Sequence, residues 1–465
     1  MSGFRCQGCG LEVAADAPAP WRCPAAGDGG DHVLASTLPT APGAAFPSEK
    51  NPFLRYRASA TSHALARSRG LSDDSYVDLV RGLDEAIAAV DGAGFIETPF
   101  ARSDLLSEAA GLAAPGGVFV KDETHNVSGS HKARHLMGLA LFAEVQRRTG
   151  ISSGPPARLA IASCGNAALA AAVVAAAWKR ALDVFIPADA NPRVVARLQA
   201  LGATIHVCLR AAGVPGDPCY HAFRRAVDAG ALPFCCQGSD NGLTIEGGKT
   251  LAYELASALQ REGRTLDRLC IQVGGGALAS ATIQGLREAL PASVLPKLHP
   301  VQTRGAFPLR RAWEAVAERM AEALHLPHAP LASPQDDAAL AAALHARLAD
   351  AAGKAALEEA LAFAARNRKQ FMWPWEAEPR SVAHGILDDE TYDWLAVVRG
   401  TLESGGSPVV VSEERLEEAH ALGAQAGYSA EHTGTAGLAG LLALGAEGLV
   451  GKTESAAVLF SGAER

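Results

Sequence analysis

No uninterrupted apolar run in this chain of 465 residues approaches the ~18 residues that cross a bilayer, so no membrane span is expected. Its start, MSGFRCQGCG, has no apolar stretch of the kind that leads a secreted chain. An excess of basic charge is also missing. Against 42 Lys and Arg stand 50 Asp and Glu, a formal net charge of −8, which argues against a polyanion-binding surface and against nucleic acid as a partner. The nine cysteines do not form a disulfide framework, because Cys208, Cys235, Cys236 and Cys270 lie in apolar stretches and read as reduced core thiols. The expectation is a cytoplasmic globular protein. Its length, with 48% hydrophobic and 20% charged residues, calls for two or three domains.

Within this composition the stretch Gly117–Val145, GGVFVKDETHNVSGSHKARHLMGLALFAEV, reads as strand, turn and helix. Val118 to Val120 form a short apolar run, Asp122 to Ser130 carry turn residues, and Leu136 to Val145 are apolar. Lys132 falls where the turn becomes the helix. A helix start and burial both oppose a positive charge, and a neutral amine is a nucleophile able to form an imine. Taken alone, a lysine here is more often a solvated residue on an amphipathic helix.

Past this helix, strands and helices alternate. Strands are predicted at Leu159–Ala162, Val184–Pro187, Thr204–Val207 and Leu232–Cys236, with helices at Ala167–Leu182, Asn191–Leu201 and Tyr220–Ala229. Such alternation predicts parallel sheet with right-handed crossovers. Between the first strand and its helix stands Ser163-Cys164-Gly165-Asn166. That is where parallel sheets bind ligands and where a helix start offers N–H donors, although an ordinary capped loop would look the same. A further strand, Leu269–Val273, runs into Gly274-Gly275-Gly276-Ala277-Leu278 and another helix. Glycines there let backbone N–H groups close around a phosphate. A dinucleotide fingerprint is the competing reading, and it fails because GGGALA is not G-x-G-x-x-G and no acidic residue follows at a plausible ribose distance. From Leu309 to Gln370 the sequence is Ala-rich with helical periods and reads as a helical insertion, and Ser455–Phe460 is a final strand into Ser461.

At the N-terminus, Cys6-Gln-Gly-Cys9 followed by Cys23 supplies three ligands on the spacing of a zinc ribbon, whereas a closed structural site needs four. Asp28, Asp31 or His32 can complete the set; the alternative is a metal-free arm.

The segment Asn126-Val-Ser-Gly-Ser-His-Lys132-Ala-Arg134 resembles the cofactor-lysine motif of fold type II pyridoxal-phosphate enzymes, the superfamily of tryptophan synthase β, threonine synthase, the serine and threonine dehydratases and cysteine synthase. Ser163–Asn166 resembles the family's Ser-x-Gly-Asn loop, Gly274–Leu278 its phosphate loop in the dehydratase-like form, and Ser381-Val-Ala-His-Gly-Ile a loop near substrate in threonine synthase relatives. By this resemblance Lys132 would hold pyridoxal 5'-phosphate as a Schiff base and, once freed, take the substrate's Cα proton. Asn166 would bond the ring hydroxyl, while Ser163, Cys164 and Gly165 would bind the substrate carboxylate. Gly274, Gly275, Gly276, Ala277 and Leu278 would hold the phosphate, with His131 near it as in tryptophan synthase β, and Ser461 would face the pyridine nitrogen. A hydroxyl is too weak an acid to protonate that nitrogen, so the ring would be a weaker electron sink and loss of a β or γ substituent would be favoured.

The implied fold is α/β, with two parallel-sheet three-layer domains of the tryptophan synthase β-like type behind a ribbon-like segment. Residues 1–57 would be the ribbon and arm, residues 58–130 and 237–465 a large domain with residues 309–370 as its insertion, and residues 131–236 a small domain. The implied activity is β- or γ-elimination or replacement on an amino acid, a lyase of the dehydratase or ammonia-lyase kind, in a homodimer. Two alternatives are a threonine synthase acting on O-phosphohomoserine, which the ribbon favours, and a non-catalytic sensor of the cofactor or of an amino acid. A zinc ion in the ribbon would be structural.

Overall fold

Three sheets organise the chain in the computed structural model, which describes residues 3–38, 48–153, 155–210, 217–291, 294–327, 329–376 and 379–464. Of the ribbon and arm expected over residues 1–57, residues 1–2 and 39–47 lie outside the described ones. The largest sheet runs Val409–Val411, Lys297–Thr303, Arg268–Gln272, Ser455–Phe460, Gly117–Asp122 and Phe100–Ser103. All its pairings are parallel except the last, in which Phe100–Ser103 meets Gly117–Asp122 antiparallel at the edge. The second sheet, Thr204–Cys208, Leu182–Pro187, Leu159–Ala162 and Leu232–Pro233, is parallel throughout. Every residue of Gly117–Asp122, Arg268–Gln272 and Ser455–Phe460 is buried, as central strands covered by helices on both faces must be.

Most predicted elements form within one or two residues of their expected limits, with two informative differences. The helix expected over Ala167–Leu182 stops at Ala177, because Lys179 takes a left-handed φ of 56° and turns the chain into the strand Leu182–Pro187. The strand expected over Leu232–Cys236 ends at Pro233, although Phe234 N–H still donates to the Ala160 carbonyl at 2.9 Å, and Cys235 and Cys236 are buried beyond it.

The insertion is three helices, Pro308–Ala323, Pro334–Arg347 and Ala351–Arg366. Their Trp313, Leu340, Leu344, Leu357 and Leu361 share one core with Leu269 and Ile271 of the large sheet and with Trp394, so the insertion thickens that body. Of the aromatic run after it, Phe371 stacks on Trp394, whereas Trp373 and Trp375 lie half-exposed against the Arg311 guanidinium. At the N-terminus Glu12–Ala14, Gly3–Cys6 and Leu34–Ser36 form a small antiparallel sheet. It packs Phe4 and Trp21 edge-on against Phe142. Among the described residues, no helix is long and apolar enough to cross a membrane.

Candidate active site

Lys132 is the first residue of the helix Lys132–Arg148, reached through a turn in which Ser128 and Gly129 take left-handed φ of 55° and 66°. Beneath that turn lies a buried charge network. Arg134 donates to both Glu123 oxygens at 2.8 and 2.9 Å and to Glu254 Oε1 at 2.7 Å. Lys121 Nζ donates to Glu254 Oε2 at 2.6 Å and to the Thr98 carbonyl at 2.7 Å. Asn126 Nδ2 ties the turn to this network, donating to Glu123 Oε2 at 2.8 Å and to the Ser130 carbonyl at 3.2 Å. Two cations and two anions, all buried, compensate one another, and that balance is what makes so much interior charge tolerable.

His131 precedes the lysine and meets the far end of the chain. Its backbone N–H donates to Ser461 Oγ at 3.1 Å, and its Nδ1 lies 2.5 Å from the same oxygen. Burial, reinforced by the positive charge of Lys132, holds His131 well below the usual imidazole range, so the ring is neutral at pH 7. His135, one turn on, is pushed down to about 3 by burial and by Lys132, and its Nδ1–H donates to the Thr244 carbonyl at 2.8 Å. Asn166 opens the helix Asn166–Ala177, and its Nδ2 donates to Glu431 Oε1 at 2.5 Å. A Cβ added at Gly462 would stand 2.2 Å from that Glu431 oxygen and 2.9 Å from Asn166 Nδ2. The lysine turn, the Ser163–Asn166 loop and the end of the last strand therefore converge.

The glycine loop follows the strand Arg268–Gln272. Gly276 caps the helix Ala277–Ala289 with a φ of 93°, and the first N–H groups of a helix have no acceptor within it. The segment 386–393 covers this loop closely. A Cβ on Gly274 would fall 2.2 Å from Asp388 Oδ2, and one on Gly275 2.8 Å from the Tyr392 ring. Thr391 Oγ1 donates to the Gly274 carbonyl at 3.0 Å, and Asp393 N–H to the Gly275 carbonyl at 3.0 Å. Burial pushes Asp388 up to about 6 against the opposing pull of Lys132, and burial pushes Asp393 up to about 7. Lys132 thus stands within electrostatic reach of the segment that packs on the glycine loop.

Of the residues singled out in the sequence, His131, next to Lys132, meets Ser461, and Asn166 lies against Glu431 and Gly462, while Gly274 to Gly276, leading into Ala277 and Leu278, pack against the segment 386–393. Ser163, Cys164 and Gly165 form an open lip, with Cys164 exposed and the other two half-buried. Cys6, Cys9 and Cys23 stand together in the N-terminal sheet with His32. Glu431, Asp388, Thr391 and Asp393 escaped the sequence reading. Asp388 opens the acidic run Asp388-Asp389-Glu390, which looks like a solvated loop, and Glu431 precedes a small-residue helix and meets Asn166 from 265 residues away.

Residues 93–374 match the family described as pyridoxal-phosphate dependent enzyme. An L-serine dehydratase of Saccharomyces cerevisiae is 28% identical over 222 residues, 46% of this chain and 64% of that protein. An L-threonine dehydratase of Lactococcus lactis subsp. lactis is 24% identical over 199 residues, 43% of this chain and 45% of that protein. The chain therefore spans less than two-thirds of the length of these relatives. Among solved structures, a threonine deaminase of T.th. superposes with a TM-score of 0.55 at 22% identity, covering 83% of this chain and 98% of that one. A holo diaminopropionate ammonia lyase of Escherichia coli gives 0.55 at 15% identity, covering 84% and 88%. These structures share the fold.

Proposed function

Because this chain belongs to the pyridoxal-phosphate-dependent enzyme family, we propose that it is a lyase removing a β substituent from an amino acid, with Lys132 as the covalent anchor of the cofactor. The residues fit that group. Among the described residues, the buried Ser130 Oγ and His131 Nε2, just before Lys132, have no hydrogen-bond partner, and the glycine loop is packed too closely to carry side chains. When bound, pyridoxal phosphate draws electrons from the substrate's Cα and eases departure of its proton.

In this reading the helix start at Ala277 and Leu278, with Gly274 to Gly276, holds the phosphate, and His131 stands beside it as a neutral ring. Asn166, held by Glu431, faces the ring hydroxyl. The lip Ser163–Gly165 binds the substrate carboxylate through its N–H groups and the Ser163 hydroxyl. Lys132, once displaced by the substrate amine, takes the Cα proton on its Nζ. The observation that carries the choice of elimination is the Ser461 hydroxyl, fixed by His131 at the lysine turn where it can face the pyridine nitrogen. A hydroxyl leaves that nitrogen unprotonated, which shortens the life of charge at Cα and favours prompt loss of a leaving group over racemisation. The similarity to serine and threonine dehydratases supports the same choice. The division into a large body and a small body at residues 131 and 236 is part of this proposal, with the site in the cleft between them.

A γ-replacement like that of threonine synthase is the second reading, favoured by the N-terminal sheet with its three cysteines. His131, Ala133 and the GGGAL loop count against it. Borohydride treatment followed by peptide mapping should fix the cofactor on Lys132, and Lys132→Ala protein should take no label. Serine, threonine, diaminopropionate and O-phosphohomoserine are then offered, with oxo acid, ammonia and phosphate each measured. Oxo acid and ammonia select the lyase, whereas phosphate with threonine selects the second reading. A labelled protein that turns over no amino acid overturns both and leaves a sensor.

A further inference from the structure

We propose that Cys6, Cys9, Cys23 and His32 form a closed, tetrahedral structural zinc site, with Asp28 as the outer partner of the histidine. Sequence spacing leaves the fourth ligand open among Asp28, Asp31 and His32, and the tertiary geometry separates their roles. The ligand atoms of Cys6, Cys9, Cys23 and His32 all lie within 4.8 Å of one another. Zinc bonds of ~2.3 Å to sulfur and ~2.0–2.1 Å to nitrogen at tetrahedral angles put sulfurs ~3.8 Å apart and sulfur from nitrogen ~3.6 Å apart. The Cys9 and Cys23 sulfurs are 3.7 Å apart, and Cys6 Sγ is 3.5 Å from His32 Nδ1. A disulfide would need ~2.05 Å between sulfurs, so these are free thiols at the edge lengths of a metal tetrahedron.

The surroundings are built for the same purpose. His32 Nε2 lies 2.8 Å from Asp28 Oδ1, which also accepts the Gly30 N–H at 2.8 Å. With Nε2–H donating to that carboxylate, the Nδ1 lone pair is left facing the sulfurs, the outer support that metal-bound histidines commonly have. The glycines of Cys6-Gln-Gly-Cys9-Gly are needed as well. A Cβ on Gly8 would fall 1.7 Å from the Asp31 carbonyl oxygen, and Gly10 has a φ of 77°. Three thiolates and one imidazole in a tetrahedron suit zinc, and binding releases the thiol protons.

Asp31 does not join the group of ligand atoms, and its Oδ1 is engaged elsewhere. Its Oδ1 accepts Trp394 Nε1–H at 3.0 Å and lies 3.4 Å from Arg368 Nε, while its N–H donates to the Ala365 carbonyl at 2.8 Å. The metal would therefore fix the loop that carries Asp31 onto Trp394, the neighbour of Asp393 on the glycine loop. This site does not depend on which reaction the active site performs.

Full-length protein prepared without chelator should contain about one zinc per chain by mass spectrometry. Replacement with Co(II) should give the visible bands of a tetrahedral ion together with thiolate charge transfer. His32→Ala should abolish the tetrahedral spectrum, while Asp28→Asn should keep it and weaken zinc affinity by ~10- to 100-fold. The exposed Cys9 should resist N-ethylmaleimide until a chelator is added. Because variants can misfold, wild-type protein alone can decide. Zinc-free protein that takes up neither metal, or prompt alkylation of Cys9 in native protein, overturns the site. Loss of the tetrahedral spectrum in Asp28→Asn with its retention in His32→Ala overturns the ligand set.

Discussion

Replacing Arg134 by methionine keeps most of the side chain's length and removes its charge, which tests whether the buried network holds the lysine turn. The guanidinium makes hydrogen bonds to Glu123, Glu254, Thr98 and Thr250, and the side chains of Arg134, Glu123 and Glu254 are fully buried. Without it, two buried carboxylates share the single Lys121 cation, and removing one partner of a buried pair costs ~3–5 kcal/mol. That is a large part of the ~5–15 kcal/mol by which a domain is stable. With a urea slope of ~3 kcal/mol/M for a chain of this size, the unfolding midpoint should fall by ~1–1.7 M. Loss of the cation also loosens Glu123, which holds Asn126 and through it the turn before Lys132, so the fraction of cofactor fixed by borohydride should fall too. A second substitution, Glu254→Met, made in the Arg134→Met background should cost less than Glu254→Met alone, because it removes an uncompensated charge, with a coupling of ~1–3 kcal/mol. A midpoint shift below about 0.3 M, or additive costs in the pair, would refute the account.

Asp393 should make stability fall as pH rises. Its folded pKa of about 7 lies above that of an exposed carboxylate, so the folded state binds the extra proton between pH ~4 and ~7. At ~1.4 kcal/mol per unit the loss over that window is up to ~4 kcal/mol, and Asp393→Asn should flatten it in urea titrations at a series of pH values. Gly276→Ala places a Cβ 2.9 Å from Thr391 Cγ2 at a φ of 93° and should cost ~1–3 kcal/mol, read as weaker cofactor retention on dialysis. Asn166→Ala removes the partner of Glu431 and the proposed contact to the ring hydroxyl; cofactor affinity should fall ~5- to 30-fold by absorbance titration, a loss of ~1–2 kcal/mol. Ser461→Asp should shift product from oxo acid towards racemised amino acid, measured by chiral chromatography, since a carboxylate can keep the pyridine nitrogen protonated.

Local sequence determined the strands and helices, because their signals are local. Ser455–Phe460 and Leu159–Ala162 are apolar runs whose limits the fold keeps, and Ser412 caps the helix Glu413–Gln425 as its hydroxyl and spacing demand. The order Lys132, Asn166, glycine loop, Ser461 was likewise legible, since each sits at a strand-to-helix turn or a strand end that the alternation itself marks. What the sequence could not decide were pairings across long separations. His131 meets Ser461 across 330 residues, Asn166 meets Glu431 across 265, and Asp31 meets Trp394 across 363. Asp388 lost its solvated character because it packs against the glycine loop, whereas Asp389 beside it stays exposed. His32 stands apart from Asp28 and Asp31 as a ligand candidate for the same reason. The choice among three polar side chains within five residues depends on which atom faces three sulfurs and which is held by other partners, and only the folded chain fixes those directions.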